Sequence, residues 1–413
     1  MIFRFHIKNQ YSIVLLLIIV SVCLGTIFGG SFQPMRILLF LFFIIYFSQI
    51  IKNKIDFRKD IPVLLGLLLF FFWIVYGSIS LLWSPDPMNG LTAGIMAMSV
   101  GYIALPLFVF LFQKADDPLI TVRKGWLICF LLTAILGIYE IITNRHFDSA
   151  EEIRILGGVG ITVPFASATY GNLNNYETVI SFITPYLLWG VLEGKDAISK
   201  IIYMGAFLLG LLFTIINGSR IGLFVIIFQL FCFSFMLLRR LKKKYIIGGC
   251  VLLVIVIMIL PMDNLLITMK YRLPSISSVS NAVNEGRGTM LICGWEMFMH
   301  SYGFGIGAGG FEKAVIYQPS FEGDVINPHN LTVEIFAQYG ILILVFYYLW
   351  LFSIFYFAFK NKQITSGARM AVCISVITLP FIGMMSSHSL GYTYYWIFLS
   401  CMTAISVYKY QLK

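Results

Sequence analysis

Residues 201–244 read IIYMGAFLLGLLFTIINGSRIGLFVIIFQLFCFSFMLLRRLKKK. Two apolar runs, 201–217 and 221–238, are separated only by a tight polar turn. A helix crossing the hydrocarbon core of a bilayer takes roughly 20 apolar residues, and in that medium each segment must satisfy its own backbone hydrogen bonds. The second run ends in Arg239, Arg240, Lys242, Lys243 and Lys244, the excess of cations that marks a cytoplasmic loop. The stretch reads as a membrane hairpin with its turn outside.

Working outward, further runs of spanning length lie at 11–29, 34–51, 61–83, 90–112, 124–143, 171–192, 245–262, 331–359, 370–385 and 391–408. Twelve spans of about 20 residues use about 240 positions, close to the 59% hydrophobic fraction of the 413 residues. Mean hydropathy is +0.88, and only 12% of residues are charged against about 25% in soluble domains. These figures exclude a soluble enzyme, a disordered chain and a disulfide scaffold. The opening MIFRFHIKNQ runs into Tyr11–Phe28 without the usual small-residue cleavage site, so it reads as a first transmembrane helix rather than a removed signal peptide. The expected fold is an all-α integral membrane protein of about twelve helices.

With the N-terminus placed inside, 21 of the 29 Lys and Arg residues fall on the cytoplasmic side. That solution puts both termini in the cytoplasm and accounts for the net charge of +10 without nucleic acid. Of the eight outer cations, six are Arg: Arg36, Arg145, Arg154, Arg220, Arg272 and Arg287. Topology needs only charge, whereas the guanidinium fork grips phosphate or carboxylate oxygens in bidentate fashion. Two outer loops are long, 144–170 and 263–330, and long loops in compact chains usually carry function. Within the larger one, Gly288–His300 is too short to span and reads as either an interfacial helix or a helix packed on the bundle. Six cysteines sit in apolar runs; Cys293 alone falls in a polar region. No Cys or His pair has metal-ligand spacing.

Four polar clusters at the outer ends of spans could carry chemistry. In Asn217-Gly218-Ser219-Arg220, the turn opens a helix, so backbone N–H groups and Arg220 face one space, an anion site in outline; a snorkelling anchor is the other reading. Glycines flank Arg287 in Gly286-Arg287-Gly288 and permit close approach of a ligand, though an ion pair with Glu285 or Glu296 is equally open. Pro328-His329-Asn330 opens the tenth span. His329 could accept a proton near pH 7 or could simply cap the helix, and spacing alone does not prefer it to His146, His300 or His388. Asn172, Asn174 and Asn175 precede Glu177 at the sixth span, where they either cap the helix or bind sugar hydroxyls. The glycine-rich 303–310 follows no strand and is not a dinucleotide loop.

Taken in order, GNLNNY, NGSRIGLF, GRGTMLICGWEMF, GFGIGAGGF and PHNLTVEIFAQYGIL resemble the O-antigen ligase and polymerase superfamily across about residues 170–360. The resemblance implies a GT-C-like membrane glycosyltransferase with short helices in the large extracytoplasmic loop. It divides the chain into N-terminal spans and an external loop (1–170), a catalytic region (171–360) and two C-terminal spans (361–413). It further implies transfer of a glycan from a polyprenyl-diphosphate carrier to an acceptor hydroxyl, on the outer face of the bacterial cytoplasmic membrane. On the same basis Arg220, Arg287 and His329 match the family's functional residues, with Ser219, Asn330, Arg272 and the three asparagines as substrate contacts. Neither metal nor cofactor is expected; membrane lipids, a flippase and a chain-length regulator are the expected company. Polymerase is the first reading, since Ile-, Lys-, Asn- and Phe-rich usage suits low-GC genomes where capsule operons are common. Ligase is the alternative and a polysaccharide transporter the third.

Overall fold

The computed structural model describes residues 9–25, 33–52, 60–147, 165–240, 280–321, 326–386 and 390–409, with a few positions between 247 and 258. In chain order the helices are α1 Gln10–Ser21, α2 Pro34–Lys52, α3 Ile61–Ser80, α4 Met96–Lys114, α5 Pro118–Thr143, α6 Leu173–Glu193 and α7 Ala197–Asn217. They continue with α8 Arg220–Arg240, α9 Ser280–His300, α10 Phe311–Val315, α11 Leu331–Lys360, α12 Ser366–Ile382 and α13 Thr393–Val407. No strand occurs among the described residues. Six of these are long and apolar enough to cross a bilayer by length and composition: α2, α3, α4 with its lead-in from Pro87, α5, α7 and α11. This is a multi-pass membrane protein. Each expected span coincides with a helix except 245–262, which falls largely outside the described residues.

Contacts divide the chain into two units, each threaded from three stretches. One unit comprises 1–35, 114–278 and 364–382; the other comprises 36–113, 279–363 and 383–413. The first is built around α6, in which every residue from Asn175 to Leu192 is buried among α5, α7, α8 and α12. Such a helix need not be apolar all round, because its neighbours can satisfy its polar groups. Gln229 of α8 does this, its Nε2 donating to Ser181 O and Thr378 Oγ1 at 3.1 Å each. The second unit is organised in the same way around α13, buried from Thr393 to Ser406 and packed on α3 and α11. Arg36 ties the start of α2 to this helix, donating to Thr393 Oγ1 (2.6 Å) and Gly391 O (2.8 Å).

The glycine-rich 303–310 is a strap that docks on the second unit. Its backbone makes the hydrogen bonds Ile306 N to Ala337 O, Gly307 N to Gln338 O and Ile341 N to Gly303 O, all near 3.0 Å. Side chains complete the attachment: Gln338 Oε1 accepts from Gly309 N (2.6 Å), Ser84 Oγ donates to Ala308 O (2.6 Å) and Tyr76 donates to Phe304 O. The strap meets α11 where that helix breaks at Gly340, at φ 75°, ψ −175°, a region reserved almost wholly for glycine. A Cβ there would lie 2.6 Å from Phe304 O. Gly340→Ala should therefore cost on the order of 2–3 kcal/mol, seen as a lower midpoint of thermal denaturation in detergent. Gly288→Ala, whose Cβ would meet nothing within 4 Å, is the matched control and should not lower it.

The large loop differs from its expected form. The expected short helix at 288–300 begins instead at Ser280 and runs 21 residues, so 286–288 is helical and not a loop. The polar sequence SNAVNEGR hides this start, having no apolar periodicity to mark it. Nor does Cys293 sit in polar surroundings: it is buried with Met290, Met297, Phe311, Val315 and Val333, on the face of α9 that packs against α10 and α11. Leu291, Ile292, Trp295 and Met299 on the same helix stay about half exposed. Cys23, Cys129, Cys232, Cys293, Cys373 and Cys401 are all free.

Candidate active site

The turn between α7 and α8 is made by three residues with separate tasks. Gly218 is left-handed (φ 65°, ψ 27°) and ends α7, with Gly218 N bonded to Ile215 O and Ser219 N to Thr214 O, the double closure of a Schellman motif. Ser219 then caps α8, its Oγ accepting from Gly222 N at 3.2 Å and its carbonyl from Leu223 N at 2.9 Å. Arg220 is thereby the first residue of α8 and is exposed. It places a guanidinium at the positive end of the helix dipole, where both favour an anion.

Beneath the turn lies a buried carboxylate. Glu177 is fully buried in α6; Asn217 Nδ2 donates to its Oε1 (2.8 Å) and Thr214 Oγ1 to its Oε2 (2.7 Å). Asn217 also clamps the chain before α6, accepting from Ala166 N (2.8 Å) and donating to Ala166 O (3.0 Å). The packing against Gly222 is close, since a Cβ there would lie 3.1 Å from Glu177 Oε2. A second buried carboxylate, Glu140, accepts from Ser167 N and Ala168 N at 2.7 Å each. His146 Nδ1 sits 3.5 Å from Glu140 Oε1, with its ring stacked on Phe165. The sequence gives no role to Asn217 or Glu140. The available signal is the expense of a carboxylate in an apolar helix, which demands donors brought from elsewhere in the chain.

The asparagines before α6 mostly serve the backbone. Asn172 caps the helix, accepting from Asn174 N at 2.7 Å. Asn175 is buried, with Nδ2 donating to Tyr170 O at 3.1 Å, and Asn174 is half-buried, with its carbonyl accepting from Thr178 Oγ1. The Arg287 side chain, Arg272 and His388 lie outside the described residues.

In the second unit, the entry to α11 holds His329 in an unusual backbone conformation. Its φ is +44°, left-handed for a residue with a Cβ, which costs roughly 1–2 kcal/mol. Pro328 before it is buried. Asn330 after it caps α11, its Oδ1 accepting from Thr332 N (3.0 Å) and Val333 N (3.3 Å), while Leu331 N donates to Gly383 O at 2.9 Å. The cap is thus Asn330, and capping does not account for His329. Strain held by its surroundings at a titratable residue is the pattern of a functional position. Among the described residues, no group of three or more His, Cys, Asp or Glu side chains could hold a metal ion.

A family model described as O-antigen ligase matches residues 205–348, about a third of the chain, which includes Arg220, Arg287, the strap and His329. The teichuronic acid biosynthesis protein TuaE of Bacillus subtilis (strain 168) is 25% identical over 366 residues, covering 82% of this chain and 71% of that protein. No solved structure matches. The ordered motifs of the sequence and these two findings agree in what the chain is similar to: O-antigen ligases over 205–348, and a teichuronic acid biosynthesis protein over most of its length.

Proposed function

We propose that the protein joins lipid-diphosphate-linked oligosaccharide repeat units into a surface polysaccharide on the outer face of the bacterial cytoplasmic membrane. One observation carries this reading. The segment that resembles O-antigen ligases, 205–348, also sets Arg220 at the first turn of α8 and a left-handed His329 at the entry to α11. The excess of Lys and Arg on one set of loops gives the orientation.

In the proposed step, the bond between the sugar's anomeric carbon and the carrier diphosphate breaks, and its electron pair leaves with the diphosphate. Arg220 and Arg287 stabilise the charge that grows there. The acceptor hydroxyl bonds to the anomeric carbon from the opposite face, inverting it, and gives its proton to His329. These residues supply the charge and the base without a metal. TuaE's name links that relative to teichuronic acid biosynthesis, and an envelope polysaccharide is the corresponding product here. The family model's own description, O-antigen ligase, favours a second reading, in which finished polymer passes to a different acceptor.

Purified protein in proteoliposomes, given only lipid-linked repeat units, separates the two. A polymerase yields a glycan ladder and free lipid diphosphate. A ligase yields product only after a separate acceptor is added. Intact substrate in both cases would contradict either reading.

A further inference from the structure

The helix α9 is apolar on two faces. One, carrying Met290, Cys293 and Met297, is buried against α10 and the start of α11. The other carries Leu291, Ile292, Trp295 and Met299, whose spacing puts them on one side of the helix, and each of the four is 50–55% exposed. Polar residues stand clear of this stripe. Glu296 is turned to Ser320, whose Oγ donates to it, and the exposed Gly288 and His300 lie beyond its two ends. Exposed apolar residues scattered singly are ordinary, but a contiguous apolar stripe marks a surface that something covers.

The adjoining surface of the same unit identifies the cover. α3 is long and apolar enough to cross a bilayer, and Phe72, Val75, Ile79 and Leu82 are exposed along it, the side that such a helix turns to lipid. That side runs on into the strap. Tyr76 donates to Phe304 O, and Trp83 Nε1 donates to Gly305 O at 3.2 Å, with the Tyr76 and Trp83 rings 6.1 Å apart. From the strap it continues to α9: Gly303 N is bonded to Phe298 O at 2.9 Å, and the Phe298 ring lies 5.4 Å from that of Trp295. Along this path Trp83, Phe304, Tyr302 and Trp295 are all exposed, the aromatic belt that forms where a protein meets the boundary between membrane and water. We propose that α9 lies in that boundary, with Leu291, Ile292, Trp295 and Met299 set among lipid headgroups and the upper acyl chains. The helix is then both packed on the bundle and interfacial. Holding lipid on one face and the first turns of α11 on the other, it fixes the depth of the α11 entry against the plane of the lipid phosphates. This holds whether or not the chain transfers glycans.

The test uses full-length protein in phosphatidylcholine nanodiscs, with and without bromine on the upper acyl chain, and takes the emission lost in Trp295→Phe as the Trp295 signal. Brominated lipid should quench most of that signal and aqueous iodide little of it. Quenching by iodide but not by brominated lipid would overturn the proposal, since the stripe would then face water. Protection from both would also overturn it, since protein, such as a second copy of the chain, would then be the cover. Ile292→p-benzoylphenylalanine gives a reading that needs no tryptophan variant. Irradiated in the same nanodiscs, the full-length chain should gain the mass of one phospholipid; a crosslink to a second chain, or no added mass, overturns the proposal.

Discussion

Arg220→Ala should cut glycan transfer by about 10²- to 10³-fold, the usual cost of removing one preorganised charge donor from a developing anion, while the folded protein stays in the membrane. The second half of that expectation follows from the turn's construction. Gly218 closes α7, Ser219 caps α8, and Asn217 and Thr214 bind Glu177 below. None of these contacts uses the guanidinium of the exposed Arg220. Arg220→Lys should keep only part of the activity, because a point charge cannot reproduce bidentate geometry on a diphosphate. Ser219→Ala should lose about 1 kcal/mol of stability with its cap. Near-normal product from Arg220→Ala, read as a gel ladder, would remove this arginine from the diphosphate clamp.

His329→Ala should slow the chemical step by roughly 10²- to 10⁴-fold, the range for a lost general base. Donor binding should change little, since the arginines provide most of the grip on the diphosphate. A base must be deprotonated to act, so the wild-type rate should fall as pH drops and the imidazole gains its proton. That acidic limb should vanish in the variant. If His329 only hydrogen-bonded the donor, donor affinity would fall instead and the limb would remain. Because Asn330 supplies the cap of α11, loss of helix stability is not an alternative cause.

Much of the fold is legible from apolar run length alone, because a bilayer demands continuous helices of fixed span. The position of Arg220 is legible too: NGSR between two such runs leaves no room for anything but a tight turn. Three features stay hidden for separate reasons. The break at Gly340 lies inside an unbroken apolar run, and only the strap docked against it requires the positive φ. The start of α9 lies in polar sequence, where no apolar periodicity marks it. Ser167 and Ala168, which donate to Glu140, and Thr214 and Asn217, which donate to Glu177, lie 27 to 40 positions away in sequence, a pairing that only the tertiary structure makes. For His329, sequence supplies the residue and its neighbours, while the left-handed backbone and the division of labour with Asn330 come from the structure.

The central claim is that His329 takes a proton during glycosyl transfer from a lipid-diphosphate donor. Single-turnover transfer by purified wild type and His329→Ala, followed from pH 5.5 to 8.5 with lipid-linked glycan, tests it most directly. The wild-type rate should decline toward acid as the imidazole gains its proton, and the variant should be slow and pH-flat. An acidic limb preserved in His329→Ala would contradict it and assign the proton to another group.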